Sequence, residues 1–136
     1  MKHTPAFLLI PTLAFALLCL TSCEKEEGKG GTSSITGRVV VRQYNNNFTL
    51  LVEQYDATDE DVFIVYGDDE VYGDKTTTHY DGKFRFDYLR EGTYTVFAYS
   101  EDSAGYPSQR EIPVMSRVTI SGKNQNITVP EIIILK

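Results

Sequence analysis

Apolar side chains after Ser34 recur at alternate positions and never sustain a helical period, so this stretch reads as strands separated by turns. Ile35, Gly37, Val39 and Val41 share one face while Thr36, Arg38 and Arg42 share the other, the pattern of a half-buried strand. Further strands are expected over Val62 to Tyr66, Gly73 to His79, Lys83 to Asp87, Thr93 to Ser100, Glu111 to Ile120 and Ile127 to Leu135. Asp81-Gly82 reads as a tight hairpin of type I′, because that turn needs φ > 0 at both central residues. Leu89-Arg90-Glu91-Gly92 forms another turn, and Pro113 and Pro130 mark edges or bulges where a missing N–H is tolerated. Between Asn45 and Asp61 the pattern weakens to a loop flanking a short strand, Phe48 to Val52. The expectation is an all-β sandwich of seven to eight strands in Greek-key order over residues 35–136, long enough to bury one core.

Three of these strands are apolar at successive positions: Val62-Phe63-Ile64-Val65-Tyr66, Tyr94 to Tyr99, and Ile132-Ile133-Ile134-Leu135. A sandwich strand ordinarily keeps one face wet, so either loops cover the second face or a partner does. The chain also holds nine tyrosines and no tryptophan. Tyrosine joins a rigid contact surface to a polar tip, which suits protein interfaces and sugar platforms, although cross-strand packing also favours it. Tyr94 reads as a packing residue, whereas Tyr66, Tyr72, Tyr80, Tyr88 and Tyr106 fall near strand ends and turns and are the candidate binding surface.

The N-terminus has a different character. Lys2 and His3 precede an apolar run from Ala6 to Leu20 that is too short to span a bilayer and carries Pro11 and Thr12. Leu20-Thr21-Ser22-Cys23 closes it and resembles the lipobox of bacterial lipoproteins. The resemblance implies that Met1–Ser22 is a removed signal peptide and that Cys23 is lipidated; a plain secretory signal would leave Cys23 as a free thiol. Two or three acyl chains hold a protein on a membrane stably, where one binds marginally. Glu24 to Ser34 carries no apolar side chain, and residues 23–34 therefore read as the lipidated cysteine followed by a flexible acidic tether. Glu24, Glu26 and Glu27 around Lys25 are similar to the export signal of Bacteroidetes-type lipoproteins. That similarity implies the cell outer membrane, with display at the surface set against the periplasmic leaflet.

Removing residues 1–22 takes one lysine and no acid, so a net charge of −6 becomes −7. An acidic chain is a poor match for nucleic acid or for electrostatic adhesion to anionic lipid. Cys19 leaves with the signal and Cys23 is consumed by lipid, so no disulfide is expected in the domain.

Thr78-His79-Tyr80-Asp81-Gly82-Lys83-Phe84-Arg85-Phe86 followed by Leu89-x-x-Gly92-Thr93-Tyr94-Thr95-Val96 resembles the signature of carboxypeptidase regulatory-like domains, which have a transthyretin-like (prealbumin-like) sandwich. Ile35-Thr36-Gly37-Arg38-Val39 is similar to that family's first strand, while His79 departs from the acid the family often places there. Hydroxyisourate-hydrolysing relatives need several histidines and a characteristic C-terminal tetrapeptide. Here His79 is the one histidine after the signal, and the chain ends Ile134-Leu135-Lys136. The acid that drives isopeptide formation in related adhesin domains would fall at position 98, which is alanine. No serine sits in a nucleophile-elbow pattern, and no enzyme, cofactor or metal site is expected. The clusters Asp56-x-x-Asp59-Glu60-Asp61 and Asp68-Asp69-Glu70 with Asp74 match no EF-hand loop and read as solvated turns. Asp102-Ser103-Ala104 resembles the O-glycosylation pattern of Bacteroidetes-type secreted proteins, with Ser103 as the modified hydroxyl. The functional expectation is a non-enzymatic, lipid-anchored envelope module that binds a surface protein or glycan. A subunit of a fimbria or nutrient-uptake complex, in a homo- or hetero-oligomer, is the alternative.

Overall fold

A computed structural model describes residues 26–107 and 110–136. The expected signal peptide and Cys23 lie outside the described residues. Nine strands follow in order: β1 (Lys29–Tyr44), β2 (Leu51–Asp56), β3 (Asp61–Tyr66), β4 (Asp74–Thr77), β5 (Lys83–Leu89), β6 (Gly92–Glu101), β7 (Glu111–Ile120), β8 (Asn126–Thr128) and β9 (Ile132–Leu135). They form two sheets. In the first, β1 is long enough to take two partners in succession on each side. Its first half lies between antiparallel β5 and parallel β8, its second between antiparallel β2 and parallel β9. The second sheet runs β4-β3-β6-β7 and is antiparallel throughout. The molecule is an all-β sandwich.

Alternate residues of the two sheets meet in the middle. Ile35, Val39, Val41, Phe84, Phe86, Leu89, Ile132 and Ile134 from the first pack on Val62, Ile64, Tyr94, Val96, Ala98 and Ile120 from the second. Each large apolar side chain buried in this way is worth about 1.5–3 kcal/mol against exposure. Gly37 points inward, and a Cβ there would collide with the Phe84 ring and Val129. It is glycine because an aromatic ring fills the space.

The largest departure from expectation is the tether. Its described part, Glu26 to Ser34, belongs to the fold: β1 starts at Lys29, and Ser33 and Ser34 are buried. Ser33 Oγ donates to the Gly122 carbonyl at 3.1 Å, and Ser34 Oγ to Asn126 Oδ1 at 3.2 Å. Glycines that suggest flexibility in the sequence serve close approach here. Gly28 and Gly30 hold φ of 130° and 110°, and Gly31 passes so near the Leu89 carbonyl that no side chain fits.

Other differences are local. The run from Ile127 to Leu135 is two strands, because Pro130 cannot donate to the ladder and the chain steps between them. The strand near Phe48 lies later, at Leu51–Asp56, after a tip tied by Asn45 Oδ1 to the Thr49 and Leu50 N–H groups. At Asp81-Gly82 only Gly82 has positive φ, 73°. The Gly82 N–H donates to the His79 carbonyl and the His79 N–H to the Lys83 carbonyl. That is a type I turn followed by a left-handed glycine, and it carries the chain from one sheet to the other.

Candidate binding surface: an aromatic sheet face

The outward faces of the two sheets differ in chemistry. On the first sheet, Thr36, Arg38 and Arg42 of β1 stand beside Lys83 and Arg85 of β5, Gln54 and Asp56 of β2, and Asn126 and Thr128 of β8. Their polar groups engage one another. Arg38 pairs with both Asp56 and Glu131, Arg42 Nε donates to Gln54 Oε1 at 2.9 Å, and Thr36 and Thr128 share a hydroxyl contact at 3.2 Å. A hollow of about 430 Å³ on this face is lined by Arg38, Val40, Gln54, Tyr55, Asp56 and Glu131. This is the wet face that a sandwich strand is expected to present.

The middle of the outward face of the second sheet is apolar and aromatic instead. Register aligns Lys75, Phe63, Phe97 and Met115 in one row across β4, β3, β6 and β7, with Val65, Thr95 and Arg117 in the next. Phe63 and Phe97 stack at 5.1 Å between centroids, and Tyr99 meets both edge-on at 5.6 and 5.5 Å. Tyr72, from the β3–β4 loop, closes on Phe63 edge-on at 4.9 Å. These are favourable aromatic geometries, and they hold four rings as one rigid body. Lys75 Nζ lies 6.0 Å over the Phe63 ring. The two phenylalanines form a floor, each 9% exposed, while Tyr99, Tyr72 and Met115 remain 41%, 54% and 64% exposed.

A groove of about 390 Å³ runs over this face. Phe97, Tyr99, Pro113 and Met115 give it an apolar wall, and Asp68, Asp69, Glu70 and Arg117 give it polar groups at the end nearest the β3–β4 loop. Arg117 Nη2 donates to Asp68 Oδ1 at 2.8 Å, and both side chains stay accessible. Pro113 sits on edge strand β7, as a residue without an N–H must. Among the described residues no strand or helix lies over this face; Tyr72 is its partial cover.

The five tyrosines singled out in the sequence do not converge. Tyr72 joins the aromatic face. Tyr66 points inward, packs edge-on against Tyr94 at 5.9 Å and belongs to the core margin, where burial raises its pKa. Tyr88 lies next to the end of β5, whereas Tyr80, on the turn between β4 and β5, and Tyr106, after the 3-10 turn Ser103–Gly105, belong to the other end of the sandwich. Ser103 is exposed in that 3-10 turn, beside Asp102, whose carboxylate accepts from the Ala104 N–H and pairs with Arg110. Phe63, Phe97, Tyr99 and Met115 were not singled out one by one, but the double-faced apolar runs through β3 and β6 pointed at this surface. Five of the eight acids of the two clusters are divided among separate cations: Asp56 with Arg38, Glu60 with Lys136, Asp61 with Lys75, Asp68 with Arg117 and Asp74 with Lys29.

No protein-family model matches the chain, and no curated protein matches it. Among solved structures it is similar to a Pseudomonas aeruginosa protein described as a candidate carbohydrate-binding protein. The identity is 17% over 97% of this chain and 99% of that one, with a TM-score of 0.47.

Proposed function

We propose that this chain is a non-enzymatic module, anchored through lipid on Cys23 to a bacterial outer membrane, that binds carbohydrate on the aromatic face of the second sheet. One observation carries the reading: on a sheet face, exposed Tyr72 and Tyr99 pack rigidly on a buried Phe63–Phe97 floor, beside a groove of about 390 Å³ with carboxylates and one guanidinium at its end. A pyranose offers an apolar C–H face and a rim of hydroxyls. Tyr99 and Met115 suit the first, while Asp68, Asp69, Glu70 and Arg117 suit the second by accepting and donating hydrogen bonds. The carboxypeptidase regulatory-like resemblance of β5 and β6 and the acids after Cys23 support a surface-displayed, transthyretin-like module.

A second reading follows from the 64% exposure of Met115 and the open Tyr99: the face is buried in a surface assembly such as a fimbria or uptake complex. A glycan array separates the two. Saccharide binding by the wild type that is lost in Tyr72→Ala/Tyr99→Ala supports carbohydrate recognition. An empty array, with stoichiometric co-purification of another envelope protein that the same double variant releases, would replace it with the assembly reading.

A further inference from the structure

From Glu26 onward the chain is clasped to one end of the sandwich. Gly28 is buried: its N–H donates to Tyr94 Oη at 3.0 Å and its carbonyl accepts from the Arg90 N–H at 2.9 Å. Glu27 folds over Gly92 and Gly67, Arg90 Nη1 reaches the Glu26 carbonyl at 3.4 Å, and Lys29 pairs with Asp74 at 2.6 Å. Four residues, Glu24 to Glu27, are left between Cys23 and the first docked position. Five Cα steps reach at most ~18 Å, and the Glu26 contact shortens the usable length. A folded sandwich on so short a lead cannot roll freely above its anchor.

Lipidation of Cys23 would hold the surfaces around the clasp close to the headgroups. They are the β5–β6 turn, the β7–β8 loop and the β3–β4 loop. Asn124 N–H donates to Thr32 Oγ1 at 3.1 Å and Gln125 N–H to Ser33 Oγ at 3.0 Å, so the β7–β8 loop is pinned beside the start of β1. The Gly67 N–H bonds to the Thr93 carbonyl and ties the β3–β4 loop to the same end. One apolar side chain projects here with little cover: Tyr88, 73% exposed. Tyr88 has φ of 60°, a left-handed conformation unfavourable for so bulky a residue, adopted at a bulge in β5 between the pairs Ile35–Phe86 and Ser33–Leu89. A tyrosine with an apolar ring and a polar tip suits the headgroup layer.

We propose that this end, with Tyr88 near the β5–β6 turn and the β7–β8 loop that carries Lys123 pinned to the start of β1, is a membrane-contacting surface whose partner is the lipid bilayer that holds the anchor. The inference rests on lipidation of Cys23 and is independent of what the aromatic face binds. Charge does not drive the contact, because Arg90 and Lys123 at this end are offset by Glu91, Asp69 and Glu70. Tether length and the exposed Tyr88 ring drive it. The opposite end, with Tyr106, lies a ten-residue strand away along β6, roughly 30 Å.

The chain has no tryptophan, so a single one reports position directly. Full-length Tyr88→Trp and Tyr106→Trp proteins are processed in their own membrane system, purified with the lipid attached and reconstituted into phosphatidylcholine vesicles with brominated acyl chains. Emission from position 88 is expected to be quenched at least threefold more than from position 106, and to change little between low and high salt. Inserting ten Gly/Ser residues after Cys23 should remove most of that difference. A nitroxide on Lys123→Cys, the one free thiol of the lipidated protein, gives a second depth reading should Tyr88→Trp fold poorly. Co-flotation with vesicles is scored first. Protein that does not float overturns the anchor and this inference with it. Protein that floats with equal quenching at 88 and 106, and an exposed nitroxide at 123, overturns the inference and leaves the anchor standing.

Discussion

Tyr94 shows how one side chain decides what its neighbours do. Its ring is fully buried in the core and its hydroxyl leaves the core to accept the Gly28 N–H and donate to the Arg90 carbonyl at 2.8 Å. Tyr94→Phe keeps the ring and leaves a buried N–H without its partner, so unfolding free energy should fall by about 1–3 kcal/mol, measured by urea titration. Burial is the main cause that holds the Tyr94 pKa above its ordinary value of 10.0. Below pH 10 the hydroxyl is neutral in both folded and unfolded chains and contributes no pH dependence. Above it the unfolded tyrosine ionises first, so stability should decline as pH rises through the folded value, and less steeply in Tyr94→Phe. At the acid end Asp74 has a lowered pKa: burial opposes this, but Lys29 and the Lys75 N–H outweigh it. Its contribution is present above its ordinary value of 3.8 and is lost as pH falls through the folded value; Asp74→Asn should flatten that limb of a thermal-melting profile. The sequence marked Tyr94 as a packing residue, which its ring confirms. It did not reveal that the hydroxyl reaches Gly28, a partner 66 positions away.

Among the elements, β1 organises the first sheet because 16 residues give it room for four partners. Six of the nine strands, β1 and β3 to β7, were legible in the sequence, β7 to the residue, while β8 and β9 read as one run. β1 was cut short at Ile35 because glycine and serine carry no apolar signal, although they are the residue types that permit Gly31 to pass Leu89. Apolar runs on both faces had two physical causes that sequence alone cannot separate. In β9, Ile132 and Ile134 enter the core while Ile133 and Leu135 are half-covered on the other face. In β3 and β6 the second face is the aromatic cluster. Ile134→Ala should therefore cost about 2–5 kcal/mol in chemical denaturation, and Ile133→Ala clearly less. Gly31→Ala should destabilise comparably to a core change, by collision with the Leu89 backbone rather than by loss of burial.

Over the whole molecule, two sheets with the same backbone chemistry present opposite surfaces. One face is paired charge and hydroxyl; the other is four rings and a methionine beside a groove. The sequence announced this asymmetry only as too many apolar positions in β3 and β6. The individual residues could not be read because they come from strands and a loop separated in sequence and brought level by register: Phe63, Tyr72, Phe97, Tyr99 and Met115. The tyrosines near turns looked more accessible, and Tyr80 and Tyr88 are, but accessibility without convergence makes no platform. The most direct test is titration calorimetry with the strongest saccharide from the array against three proteins: wild type, Tyr72→Ala/Tyr99→Ala on the aromatic face, and Arg38→Ala/Arg85→Ala on the polar face. Affinity should fall by about tenfold or more, ~1.4 kcal/mol, in the first variant and stay within about twofold in the second. Loss of binding in the polar-face variant with the aromatic-face variant unaffected would contradict the account.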